Sequence, residues 1–353
     1  MGCDGGPVLY GVVVRWGSAG SPATSVLVEG WFLDPGRFFG ASRLLIVAGK
    51  GGVGKTTVSA ALARAAALVG LSTLVVEVEG RSGLPAMFGR PDLGYDEIVL
   101  SAGSPGVGDV RARTITSDQA LLEYLEDHGL SRISKRLVSS GALDVVATAA
   151  PGIKDILVLG KVKQLERSAT ADLIVLDAPA AGHAVTFLQS ARGLVDAVKV
   201  GPINTQARDV LGLLEDHRRC QVVLVTIPEE TPVNEAVDTA FLLEDRVGVG
   251  LGPIVVNGLH PELAGLAADP EAAAAEADVT LRAGEAEALA AAADFRRRRT
   301  ALQDEQVGRL AADLPLPQLR LPFLYTAAIG PDEVDQLARA LLADIEALAE
   351  LPS

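Results

Sequence analysis

An α/β fold, a doubly wound and mostly parallel sheet with a helical insertion, is what this chain predicts, and three observations predict it. Short runs rich in Val, Ile and Leu recur at residues 44–48, 73–78, 172–176, 221–226 and 252–257, as strands buried on both faces require. Stretches with apolar residues at helical spacing separate them. A glycine-rich turn joins the first run to the first of those stretches, and its composition is that of a loop folded around phosphate. The chain has 353 residues, enough for one large α/β domain or two smaller ones.

Residues 1–41 hold both tryptophans, Trp16 and Trp31, and much glycine, so they read as an extension ahead of the main domain. A short hairpin over 12–15 and 26–28 and a leader with little structure are equally good readings of it. The domain proper spans 42–350.

The turn consists of Gly49, Lys50, Gly51, Gly52, Val53, Gly54, Lys55, Thr56 and Thr57. Glycines let successive N–H groups point inward at a phosphate chain, and the helix that starts near Thr56 adds the positive end of its dipole. Lys55 is placed to reach the β- and γ-phosphates of a nucleotide, and Thr56 to offer a hydroxyl to Mg²⁺. Val58, Ala61, Leu62, Ala65 and Ala66 continue at helical spacing until Gly70. Lys50 is a second lysine in a loop that already has one, free to serve phosphate outside its own pocket or to remain a solvated charge.

The next strand closes on Glu77-Val78-Glu79, two carboxylates expected on one side of the strand at its carboxyl end, where ligands of open α/β sheets sit. Glu79 is a candidate to orient the water that attacks a γ-phosphate, or else an acid capping a strand; Glu77 is placed to hold cation-bound water or neighbouring strands. Gly83–Gly89 reads as a turn or short helix. Residues 91–165 read as mostly helical, with Leu121, Leu122, Tyr124 and Leu125 on one face and Ile153, Ile156, Leu157, Leu159 and Val162 on another, and so as a helical insertion.

A buried strand over 171–177 ends on Asp177, a position suited to holding Mg²⁺ through water. In the segment that follows, Pro179 and Gly182 interrupt helix, and an N–H at Gly182 is placed to sense the γ-phosphate; His183 is structural or transmits the switch. Asn257 ends a later strand with an amide able to read the adenine edge, or to form a turn. Residues 261–313 are rich in Ala and Glu, read as long exposed helices and carry Arg296–Arg299, solvated or partner-facing. A last strand falls near Leu319–Phe323, and a closing helix begins near Pro331 with Val334, Leu337, Leu341, Ile345 and Leu348 inward.

The formal net charge of −14 repels nucleic acid and anionic membranes, so neither is expected as a partner and phosphate binding must be local. No apolar stretch reaches the ~18 residues of a membrane span, and the start lacks a basic segment followed by an apolar one, so a cytoplasmic protein is expected. Cys3 and Cys220 are far apart, with no CxxC, so neither a disulfide framework nor a cysteine zinc site is supported. Met1-Gly2-Cys3 lacks the Ser or Thr that a myristoylation signal places at Gly6.

Lys50-Gly51-Gly52-Val53-Gly54-Lys55-Thr56-Thr57 resembles the deviant Walker A loop of the ATPases that include MinD, ParA, the nitrogenase iron protein and the arsenite-pump ATPases. With residues 77–89, Pro151-Gly152-Ile153, residues 177–189, Ile227-Pro228-Glu229 and Val255-Val256-Asn257, the likeness narrows to the ArsA-like anion-transporting ATPases, closest to an actinobacterial branch. That resemblance implies ATP and Mg²⁺ as cofactors, hydrolysis of the β–γ phosphoanhydride, a homodimer or a heterodimer with a related subunit, Lys50 crossing to the partner's nucleotide, and an unidentified protein cargo or effector. It matches Glu79 to the family's catalytic aspartate, one methylene longer, and Asp177–His183 to a switch that here lacks both threonines. Metalloid pumping and tail-anchor capture lose support without paired cysteines and with methionine at Met1 and Met87 alone. A weakly catalytic, nucleotide-sensing subunit is the competing expectation, and a MinD/ParA-type positioning ATPase a third.

Overall fold

In the computed structural model, residues 34–79, 83–127, 129, 152–179 and 181–348 are described. The expected hairpin within residues 12–28, with both tryptophans, lies outside them, as does Pro151.

Helix α1 (Pro35–Gly40) starts where the Asp34 side chain accepts from the Gly36 N–H and Pro35 stands in the first turn. The chain then enters β1 (Leu44–Gly49), fully buried along its length. Helix α2 (Lys55–Leu68) follows the glycine-rich loop; its alanines let it lie flat on the sheet, and nine of its residues are buried. A helix this apolar all round must be covered on both sides. Strand β2 (Thr73–Val78) comes next, followed by the single-turn helix α3 (Leu84–Met87), β3 (Ile98–Ser101), β4 (Val110–Ile115), α4 (Ser117–Asp127) and α5 (Ile153–Ser168). After β5 (Leu173–Asp177) the order is α6 (Ala181–Ala197), α7 (Pro202–Leu214), β6 (Cys220–Thr226), α8 (Glu230–Arg246) and β7 (Gly250–Leu259). The chain closes with α9 (Pro270–Glu276), α10 (Glu285–Asp313), β8 (Gln318–Pro322) and α11 (Pro331–Leu348).

The eight strands form one sheet in the order β3-β4-β2-β5-β1-β6-β7-β8, parallel throughout except for β3, which runs antiparallel along β4. The chain builds leftward from β1, then crosses over it from β5 to β6 and builds rightward. Strand β1 is therefore the switch point, and the crevice beyond its carboxyl end is the expected place for a ligand.

Alternation along β1 sorts the core into two layers. Leu44, Ile46 and Ala48 face α5, α6, α7 and α8, whereas Leu45 and Val47 face α2 and α11. Val334, Leu337, Leu341 and Ile345 of α11 are buried as their spacing predicts, and they cover the outer side of α2.

The reading of 91–165 as mostly helix is corrected by β3 and β4. Val110 and Ala112 alternate with Arg111 and Arg113, the period of a strand rather than a helix. The arginines conceal a buried strand: Arg113 lies over the Tyr95 ring and Arg111 pairs with Glu97 and Asp109. Helix begins at Ser117. The apolar stripes of α4 and α5 then enter the core, as Leu121, Ile156, Leu159 and Val162 show.

Candidate functional site

The loop between β1 and α2 is built by positive-φ glycines. Gly49 has no room for a side chain, because a Cβ there would press into the Val225 carbonyl of the neighbouring strand. Gly54 takes a left-handed φ of 90° as the residue before α2, and no side chain caps that helix. Its first-turn N–H groups, including those of Thr56 and Thr57, thus have no side-chain acceptor, the arrangement that receives an anion.

Inside the loop, the Lys55 ammonium donates to the Lys50 carbonyl at 2.9 Å. Burial lowers its pKa, against the pull of the nearby Asp177 charge. The Thr56 hydroxyl donates to Asp177 Oδ2 at 2.7 Å and the Ser59 hydroxyl to Oδ1 at 3.3 Å, so β5 and α2 meet on one carboxylate. Burial raises the Asp177 pKa, while the bonds from Thr56 and Ser59 and the charge of Lys55 oppose the rise. Sequence reading missed Ser59, although its position three residues after Thr56 on a helix places both on one face.

Lys50 points elsewhere. Its ammonium pairs with Glu235 Oε1 of α8 at 2.5 Å, with both side chains about two-fifths exposed. Glu235 lies 185 residues away in sequence, and no motif marked it. Asn257 donates its side-chain amide to the Val53 carbonyl at 2.9 Å and thereby braces the phosphate loop. Gly54 leaves space for that amide, since a Cβ there would collide with it.

The two acids of β2 separate, contrary to their expected common orientation. The strand ends at Val78, and Glu79 turns into the left-handed region at φ 66°. Its Oε1 accepts from the Ser117 N–H at 3.0 Å, at the start of α4. Glu77 stays in the sheet beside Asp177, its register partner on β5, and is 3% exposed. The Thr114 hydroxyl donates to its Oε2 at 3.3 Å, but its buried Oε1 has no partner. Burial is the main cause of a pKa raised to about 7; the neighbouring Asp177 and Asp92 charges push the same way, against the Thr114 bond.

Helix α6 begins at Ala181, so Gly182 lies in its first turn rather than in an extended interruption. Pro179 precedes the helix, where its missing N–H costs nothing. His183 is exposed in that same turn. Asp155 of α5, which sequence reading passed over, lies within the field of both Glu79 and His183: burial raises its pKa first, the Glu79 charge adds to that, and His183 opposes it.

The residues present fit a nucleotide with a divalent cation. Glu77 Oε1 is an orphaned buried oxygen next to the Thr56–Asp177 pair, and an uncapped helix start faces the same place. Among the described residues no cluster of three or more His, Cys, Asp or Glu is arranged to hold a metal ion, so a cation here must draw ligands from phosphate and water as well as protein. Cys220 is buried, and burial pushes its thiol pKa far up, which makes it a core residue rather than a ligand.

The anion-transporting ATPase family model matches residues 42–201, which run from β1 through α6. ATPase BagA of Mycobacterium tuberculosis is 36% identical over 265 residues, 72% of this chain and 75% of the relative. The chain belongs to the anion-transporting ATPase family. A Halobacterium salinarum protein named as an arsenical pump-driving ATPase is 29% identical over 240 residues, 63% of this chain and 36% of that one. ATPase get3 of Schizosaccharomyces pombe is 27% identical over 177 residues, 48% of this chain and 52% of the relative. This anion-transporting ATPase binds nucleotide and hydrolyses ATP. Among its described residues, no helix is long and apolar enough to cross a membrane.

Proposed function

We propose that the protein is a Mg²⁺-dependent dimeric switch in which bound ATP draws two phosphate loops together and the switch segments report the nucleotide state to a partner. The observation that carries this reading is the division of labour between its lysines. Lys55 is folded into its own loop, while Lys50 on the loop's rim is turned out to the partly exposed carboxylate of Glu235. A lysine so placed is available to a second molecule once Glu235 releases it.

Within one subunit, Lys55 and the first-turn N–H groups of α2 bind the β- and γ-phosphates. Thr56, through its hydroxyl, and Asp177, through water, would hold Mg²⁺. Mg²⁺, when bound, neutralises charge on the phosphate oxygens. Glu79 orients the attacking water through Oε2, since Oε1 is held at the start of α4. Gly182 offers its N–H from the first turn of α6, and Asn257 uses its remaining amide hydrogen and oxygen on adenine. The homodimer and the pairing with a related chain are both compatible with this arrangement.

Measuring turnover and nucleotide affinity of Lys50→Ala tests it. Loss of a charge-stabilising lysine supplied in trans should slow hydrolysis on the order of 10³-fold with nucleotide still bound; unchanged turnover would sink the trans role. A second reading, a weakly catalytic nucleotide-sensing subunit, draws on Glu79, whose carboxylate is already engaged as a cap. Hydrolysis that appears only after a related chain is added would favour it.

A further inference from the structure

A large cavity among the described residues lies away from the phosphate loop. It lies between α9 with its flanking segments and the outer half of α10, with a volume of about 610 Å³. Leu263, Leu266, Val279, Leu281 and Leu289 supply most of its apolar wall, alongside several alanines. Leu263, Val279 and Leu289 are each half or more exposed to solvent, an arrangement that apolar side chains avoid unless something covers them.

A single charged residue lines this groove, Arg296, four residues beyond Ala292 on the same helix face. Its neighbours in the basic run have carboxylate partners: Arg297 and Arg298 on Asp294, Arg299 on Glu229. Arg296 has none among the described residues. Its terminal nitrogens donate to the Tyr325 hydroxyl and, at 2.7 Å, to the Pro261 carbonyl, both neutral, and its buried Nε donates to nothing. An apolar trough ending on an arginine with no counter-ion calls for an anion on an apolar tail. A guanidinium whose acceptors are both neutral keeps further terminal hydrogens for a carboxylate.

Size narrows the tail. A methylene needs about the space of a water molecule, about 30 Å³, so a sixteen-carbon chain needs on the order of 500 Å³. A diacyl lipid needs about twice that. We propose that this groove binds one long-chain fatty acid, its alkyl chain along α9 and α10 and its carboxylate on Arg296. Such a site does not depend on the nucleotide switch and gives this ATPase a second, lipid-derived ligand.

Displacement of a fluorescent polyene fatty acid from the full-length protein, below micelle-forming concentrations, tests the assignment. Hexadecanoate should bind saturably at one per chain. Arg296→Gln should weaken hexadecanoate at least tenfold while changing hexadecan-1-ol less than twofold. Leu289→Glu and, independently, Leu263→Glu should weaken both at least tenfold, with thermal melting unchanged because both positions are exposed. Absence of saturable binding, or binding indifferent to all three substitutions, overturns the proposal. So does uptake confined to lipid vesicles, or a Leu289→Glu variant that loses association between chains while binding fatty acid normally, which would assign the groove to a protein.

Discussion

Glu77 shows how much one residue's chemistry depends on its neighbours. In an isolated strand it is an ordinary acid; here it is buried against Asp177 with an unpaired oxygen and a pKa of about 7. Because the folded pKa lies above the unfolded value of 4.5, the folded chain holds the extra proton between those limits. Stability from this group is therefore lost as pH rises through that window, by about 3 kcal/mol at most. Nucleotide-free wild-type protein should melt progressively lower from pH 5 to pH 8, and Glu77→Gln should flatten that slope. A variant with the same slope as wild type would remove Glu77 as its source. The opposite case is Lys50–Glu235, a partly exposed pair whose contribution to stability is modest, so its value lies in where it holds the lysine.

Helix α10 is one element with two environments. Over its 29 residues, Gln303, Val307 and Leu310 are buried, and none in the first half is. Gln303 anchors the buried half, accepting from the His260 N–H at 2.9 Å and donating to the Gly258 carbonyl at 3.2 Å. Arg299 and Arg309 tie the helix to the start of α8 through Glu229, Asn234 and the Glu230 carbonyl. Truncating Leu310 to alanine should cost about 2–5 kcal/mol, as buried leucines do. The same change at Leu289 should stay within about 0.5 kcal/mol. Denaturant unfolding of the two variants measures this contrast directly, and equal losses would mean that the outer half is packed after all.

For the whole molecule, the decisive quantity is how many copies travel together. Each chain carries a formal charge of −14, so two of them repel unless local contacts and bound ligand outweigh the field. Association driven by ATP should therefore strengthen as salt rises toward about 0.15 M, where the Debye length is about 8 Å. Sedimentation with ADP and with a non-hydrolysable ATP analogue should give a monomer and a dimer respectively, with Mg²⁺ present in both. A chain that stays monomeric with the analogue, alone and mixed with a related subunit, would end the switch reading.

The loop from Gly49 to Thr57, the strand ending in Asp177, the inward face of α11 and the doubly wound class are all local patterns, and the sequence by itself determined them. Strand and helix periods, glycines at strained turns and a carboxylate at a strand end are each written within a dozen residues. The partner of Lys50, the brace from Asn257 to Val53 and the parting of Glu77 from Glu79 were decided only by tertiary structure. Each joins groups distant in the chain, or depends on a backbone turn that no residue type dictates; glutamate at φ 66° has no sequence signature. Strand β4 stayed hidden for a related reason: its arginines gain ring and carboxylate partners that exist only after the chain has folded.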